Sequence, residues 1–363
     1  MSEGNVIARL RARICTEGPV TVATFMEEAA TAYYAQAAPF GVEGDFVTAP
    51  EVSQMFGELV GLWAAVVWQE MGAPAIVHMV ELGPGLGTLM NDLLRAVQVV
   101  PAFSTALKVH LVETSPRLAS LQRQRLGSSV FPLAWHDHFE DVPSGPLLVV
   151  ANEFLDTLPI HQFERTAEGW RERLVGLASD GRTFRFVPGY ISSMPPLSPS
   201  VRDAAPVGAL AEGSPAMHDV ISAVAARLVT HGGAALFIDY GSAISTVGDS
   251  LQAVRRHVPY PVLEAPGKTD LTAHVDFAAA TATARRAGAC IYGPVHQGEW
   301  LCRLGLLTRA ERLLAQARSG QQAHAVTAGV HRLIGDSTMG RLFKVLGFAH
   351  QRLSSLPGLD RAG

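Results

Sequence analysis

Two short stretches carry residue types whose spacing suits chemistry. In Glu81-Leu-Gly-Pro-Gly-Leu-Gly-Thr-Leu89, three alternating glycines stand between an apolar run and a helical pattern. Gly83, Gly85 and Gly87 let a backbone turn tightly and approach a ligand closely, because glycine adopts positive φ at no steric cost. In Val149-Val-Ala-Asn-Glu-Phe-Leu-Asp-Thr-Leu-Pro159, Asn152, Glu153 and Asp156 follow a second apolar run. Two carboxylates beside an amide suit a cationic or nitrogenous nucleophile, which they can orient, neutralise and relieve of a proton. The competing reading is structural, with Asp156 capping a turn and Asn152 bonding backbone.

The elements around these stretches alternate as βαβ units. Strands are expected over residues 76–82, 107–113, 129–135 and 146–152, with helices to about 99 and over 117–125, giving a parallel sheet with helices on both faces. Ligands then lie at the carboxyl ends of the strands. The rhythm changes after Asn152: Ile160–Glu164 and Trp170–Val175 flank a polar turn and read as a hairpin, and Ser192–Pro206 reads as a loop. A helix over 217–230 and the strand ending in Asp239-Tyr-Gly241 restore the pattern. Residues 242–274 show little periodicity and read as a lid, and a last strand is expected over 342–348. The fold class is α/β, doubly wound and Rossmann-like. Its expected organisation is a helical N-terminal cover over 1–74, a core from 75–159 and 215–363 with a lid at about 242–275, and an inserted hairpin and loop region over 160–214.

The glycine spacing bears on the ligand. A dinucleotide fingerprint needs G-x-G-x-x-G, whereas this chain has Gly83-x-Gly85-x-Gly87, and Pro84 removes a backbone donor. An acidic residue before G-x-G-x-G at the end of a first strand is instead the pattern of S-adenosylmethionine-dependent methyltransferases, with Glu81 as the acid. That cofactor has no phosphates, so close backbone approach matters more than an anion nest. Glu113, ending the second strand, is placed to accept from two ribose hydroxyls, and Asp137, after the third, from the adenine amine. A solvated strand-end acid and a helix cap are the respective alternatives. In the lid, His274 is a candidate acid, base or substrate contact, with a structural hydrogen bond as the alternative.

Composition narrows the class. With 363 residues and 48% hydrophobic content the chain can bury a full α/β core, and 29 basic against 33 acidic residues give no footprint for nucleic acid. The longest apolar runs fall short of the roughly 20 residues that span a bilayer. Three scattered cysteines point to a reducing compartment, taken as the cytoplasm. His136, His138 and His161 have no metal-ligand spacing, so no metal is expected. Oligomeric state is not legible.

Several blocks together resemble the MidA-like methyltransferase family. They are Gly44-Asp-Phe-Val-Thr-Ala-Pro-Glu-Val-Ser53 with Phe56-Gly-Glu58, the Glu81 turn, Ala151–Pro159 with His161-Gln-Phe163, Asp239-Tyr-Gly241, Gly248–His257, Pro266–Phe277 and Met339–Lys344. The resemblance covers nearly the whole chain. It implies an S-adenosylmethionine-binding core, with Thr48 and Pro50 as cofactor-side cover, although Thr48 and Glu51 are also spaced as a capping box. It also implies methylation of an arginine on a protein partner, a respiratory complex I subunit. Family members usually carry arginine where this chain has Leu86. The alternatives are a small-molecule methyltransferase and a non-catalytic assembly protein.

Overall fold

The computed structural model describes residues 3–36, 47–191, 195–255 and 257–362. Gly44, Asp45 and Phe46 of the first family block, Ser192 to Met194 of the expected loop, and Arg256 lie outside the described residues. The chain divides into two compact units, 1–46, 155–219 and 242–279 in one, and 47–154, 220–241 and 280–363 in the other.

The larger unit is a mixed α/β assembly around a mostly parallel sheet. Its strands are β1 (Val77–Leu82), β2 (Leu107–Val112), β3 (Leu133–His136), β4 (Leu147–Asn152), β5 (Gly233–Ser242), β6 (Cys290–His296) and β7 (Phe343–Ala349). They run in the order β6-β7-β5-β4-β1-β2-β3. β1 to β5 are mutually parallel, whereas β7 is antiparallel to both β5 and β6. β1 and β4 are adjacent, and from them the chain winds outward in opposite directions, the arrangement at whose carboxyl ends ligands lie in open α/β sheets. β1 is buried along its length and β4 along nearly all of it, as strands covered on both faces are.

Helix α1 (Gln54–Glu70) is apolar on almost every side and is buried from Met55 through Gly61. Within the helical cover expected over 1–74 the chain breaks at Ser53, which is extended and caps the new helix by accepting from the Met55 N–H at 3.3 Å. A four-residue turn, Ala49–Val52, precedes it. α1 lies against α2 (Thr88–Val97), and Gly57 and Gly61 permit the approach. A Cβ on Gly57 would fall 2.7 Å from the Asp92 Cβ, and one on Gly61 3.0 Å from the Leu93 carbonyl. Helices α3 (Pro116–Leu126) and α4 (Pro215–His231) follow in the chain. The core gathers Phe56, Trp63, Leu93, Phe103, Val150 and Trp300, all at most 1% exposed.

The smaller unit holds an antiparallel sheet. His161–Arg165 and Trp170–Leu177 form the expected hairpin, and Phe184–Ile191 extends it as a strand that periodicity did not reveal. Residues 242–274, expected as an aperiodic lid, contain a three-stranded sheet of Val258–Tyr260, Gln252–Arg255 and Asp270–Thr272. Helices Glu3–Glu17 and Val22–Gln36 share an apolar cluster with Val175, Leu251 and Leu271.

Candidate active site

Strand β1 delivers Glu81 to the carboxyl edge, and the next five residues turn. Gly83, Gly85 and Gly87 all have positive φ, 63°, 54° and 77°, which a side chain would resist. Gly83 is also short of space, because a Cβ there would sit 2.7 Å from the Phe154 ring. Glu81 is 3% exposed. Burial first, and then the Glu113 charge, hold its carboxyl well above the usual range, while the Met90 backbone N–H works in the opposite sense. Its Oε2 is buried and has no partner among the described residues.

Gln122 was not anticipated, yet it ties the site together. Fully buried, it donates from Nε2 to the Gly85 carbonyl at 2.9 Å and to Glu113 at 3.0 Å, and its Oε1 accepts from the Trp135 indole at 3.0 Å. Its neighbours Arg123, Gln124 and Arg125 make α3 read as a solvated helix, so no pattern marks it. Glu113 also accepts from the Ser115 N–H at 2.8 Å. Burial raises its carboxyl, offset by these hydrogen bonds. Asp137 follows β3 and is exposed.

At the end of β4, Glu153 occupies the left-handed region with φ 50°, rare for a side chain of this size and a cost of about 1–3 kcal/mol. Its N–H donates to the Ile238 carbonyl, and its Oε1 accepts from the Ala49 N–H at 3.0 Å and from Asn152 Nδ2 at 3.2 Å. The Asn152 Oδ1 is buried without a partner among the described residues. Asp239, also buried, accepts from the Phe154 N–H at 3.2 Å and so fixes the turn after Glu153.

The segment 47–52 belongs to this unit. Thr48 stands at the N-cap position without a side-chain capping bond, and Pro50 is buried in the first turn. The expected capping box is not formed. Glu51 instead accepts from the Thr88 hydroxyl at the start of α2 and lies 3.6 Å from Arg125.

The larger unit therefore brings together Glu81, the glycine turn, Glu113, Asn152 and Glu153. Asp156 and His274 belong to the smaller unit. Asp156 is 5% exposed in a 3-10 turn, and its carbonyl accepts from the Ala273 N–H. His274 is exposed, its N–H donates to Ser250 Oγ at 2.9 Å, and it lines a cavity of about 40 Å³ with Glu212, His218 and Asp276. That space suits a few waters rather than a side chain.

The carboxyl edge fits a nucleoside bearing a cationic amino-acid tail. It offers a turn of positive-φ glycines, two buried oxygens without partners among the described residues, Glu81 Oε2 and Asn152 Oδ1, and the Glu113 carboxylate, held by Ser115 and Gln122. Among the described residues no helix is long and apolar enough to cross a membrane.

Comparison with known proteins agrees with this arrangement. A family model described as "Putative S-adenosyl-L-methionine-dependent methyltransferase" matches residues 59–295. "Protein arginine methyltransferase NDUFAF7, mitochondrial" of Xenopus tropicalis is 36% identical over 92% of this chain and 83% of its own. The Homo sapiens protein of that name is 33% identical over 96% and 84%. A crystal structure from Burkholderia thailandensis, a "likely methyl transferase" bound to S-adenosyl-homocysteine, superposes with a TM-score of 0.84 at 26% identity, covering 98% of this chain and 94% of that one. These names overturn the expectation of a cytoplasmic protein, since relatives matching nearly the whole chain are mitochondrial. Scarce cysteines report redox conditions and carry no address. With the family model spanning well over half of its residues, the chain belongs to the S-adenosyl-L-methionine-dependent methyltransferases.

Proposed function

We propose that the protein methylates an arginine side chain of a protein partner, using a doubly wound, Rossmann-like sheet with a helical N-terminal cover and an inserted substrate region. The names of the relatives support the acceptor, and the MidA-like resemblance supports a respiratory complex I subunit as the partner. The observation that carries the reading is Glu153, held in a costly left-handed conformation where β4 ends beside β1.

S-adenosylmethionine, when bound, supplies a methyl group activated by its sulfonium. Glu113 takes the ribose hydroxyls, and Asp137 takes the adenine amine. Glu81 and the Gly83-Gly85-Gly87 turn take the amino-acid end. Thr48 and Pro50 cover the cofactor side. Gln122 keeps the turn and Glu113 in register through its two donated bonds.

A guanidinium arrives protonated, because its pKa exceeds 12, so the acceptor must be oriented and relieved of a proton. Asn152 Oδ1 accepts one guanidinium N–H, and the Glu153 carboxylate balances the charge and receives the proton. Orientation alone contributes roughly 7 to 11 kcal/mol in well-aligned displacements, so positioning dominates over activation. Asp156 and His274 are further candidates on the acceptor side, and Asp156→Asn and His274→Ala test them separately. Incubating the protein with isotopically labelled cofactor and complex I subunits, followed by mass spectrometry, tests the acceptor. Label on an arginine is the expected result. Transfer to a metabolite and to no protein would refute the polypeptide acceptor.

A further inference from the structure

Each of the three adjacent parallel strands β1, β2 and β3 carries one histidine, and the three rings join in a row. His78 Nδ1 lies 2.9 Å from His110 Nε2, and His110 Nδ1 lies 2.9 Å from His136 Nε2. The row crosses the sheet diagonally. His110 pairs with Val80, two residues beyond His78, and His136 pairs with Val112, two residues beyond His110. It begins near the amino end of β1 and finishes on the last residue of β3, at the carboxyl edge.

The middle ring is neutral. Burial first, then the flanking imidazoles and Arg227, push His110 down to about 4. A neutral imidazole has one N–H, so with both nitrogens engaged His110 donates on one side and accepts on the other. The row consequently has a direction, and one end must set it. At the far end the backbone of Ser144 acts on His78 as a hydrogen-bond acceptor would, raising its hold on a proton. The ring edge on that side is the one bearing Cδ2 and Nε2, since a Cβ on Gly145 would lie 3.0 Å from both, and Nδ1 is already engaged with His110. His78 therefore carries its proton on Nε2 and accepts at Nδ1. His110 must donate from Nε2 and accept at Nδ1, and His136 must donate from Nε2. His136 Nδ1 is left as a bare lone pair.

We infer that the Ser144 backbone, acting through His78 and His110, fixes the tautomer of His136, and that His136 Nδ1 is a hydrogen-bond acceptor for the exocyclic amine of the bound nucleobase. This rests on the cofactor site proposed above. It makes His136 a specificity-determining residue, and His78 and His110 positioning residues that act through it. His136 is half-exposed and directly precedes Asp137, while its other neighbour, Trp135, is bonded to Gln122 and through it to the glycine turn. An amine donor satisfies the lone pair. A 6-oxo base presents an acceptor against an acceptor and leaves both unsatisfied.

The test compares S-adenosylhomocysteine with its deaminated, 6-oxo counterpart by titration calorimetry on the full chain, alongside 15N-detected imidazole NMR. The wild-type protein should prefer the amino base by roughly tenfold or more, the scale of one unsatisfied polar contact. His136→Phe should shrink that preference several-fold, and His136 should show an unprotonated Nδ1 in the free protein. His78→Phe removes the acceptor that holds the row in its direction, so His110 can reverse and the His136 proton should move to Nδ1, with weaker adenosyl binding at an intact fold. A merely structural role would not move that proton. An unchanged preference in His136→Phe, or a proton on Nδ1 in the wild type, overturns the inference. Wild-type protein that binds both nucleosides equally refutes the role of His136 alone, whereas failure to bind either refutes the cofactor site itself.

Discussion

Replacing Gln122 with leucine preserves volume and removes three hydrogen bonds at once. The Gly85 carbonyl at 2.9 Å, the Glu113 carboxylate at 3.0 Å and the Trp135 indole at 3.0 Å each lose their partner inside a site where Gln122 is fully buried. Two neutral hydrogen bonds contribute about 1 kcal/mol each and one to a charged group about 1.5 to 3, so a total of about 3.5 to 5 kcal/mol is an upper range before relaxation and water entry. About 3 kcal/mol corresponds to a fall in melting temperature of roughly 6 to 12 °C for a domain of this size. The cofactor effect is separate. With Glu113 and the turn no longer held together, affinity for S-adenosyl-homocysteine should drop about tenfold, or roughly 1.4 kcal/mol. Thermal denaturation and calorimetry on the same preparation measure both. A variant that melts lower yet binds with wild-type affinity would show that Gln122 is only a core residue and would refute its role in the site.

Other substitutions probe the same edge. Glu113→Ala should weaken S-adenosyl-homocysteine binding by about 10- to 100-fold, measured by calorimetry, since it removes charge-assisted hydrogen bonds to the ribose. Gly83→Ala forces a side chain into φ 63° and against the Phe154 ring, and should cost about 2 kcal/mol in denaturant unfolding. Burial raises Glu81 and Glu113 in the folded chain, whereas the unfolded chain ionises both near the ordinary carboxylate value of 4.5. Between that value and the raised folded values the unfolded state has lost protons that the folded state keeps. Ligand-free stability should therefore fall as pH rises through this window, by up to about 1.4 kcal/mol per pH unit for each group. Denaturation midpoints across pH should show this slope in the wild type and a shallower one in Glu81→Gln.

The parts of the fold that follow from periodicity were legible. Buried parallel strands appear as mostly apolar runs, interrupted in β1 by His78 and Glu81 and in β2 by Lys108 and His110, and the polar turn after Glu164 marks a hairpin, so β1, β2, β4 and the hairpin lie within a residue or two of expectation. Elements whose signal is tertiary were not. The strands within 242–274 are three or four residues long and pair with one another, so no alternation accumulates. The break at Ser53 depends on a capping bond that competes with an unbroken apolar pattern. In the site, glycines and acids at strand ends stand out because few other roles need them there. Gln122 does not, because a buried glutamine on an otherwise charged helix looks like its exposed neighbours. The histidine row has a visible trace, one histidine per strand, but only the register shows that 78, 110 and 136 lie on one diagonal. Asp156 stands close to Asn152 and Glu153 in sequence yet is assigned with His274 to the other compact unit, a division that only the tertiary contacts show.

We propose that Asn152 and Glu153 act on the methyl acceptor while the glycine turn and Glu113 hold the cofactor. Single-turnover methyl transfer to a complex I subunit, measured for the wild type and Glu153→Gln beside their affinities for S-adenosyl-homocysteine, separates the two functions. Glu153→Gln should keep cofactor affinity within about threefold, under 1 kcal/mol, and lose transfer by about 100-fold or more, the scale of a positioned proton acceptor. Transfer at the wild-type rate in Glu153→Gln would contradict that proposal.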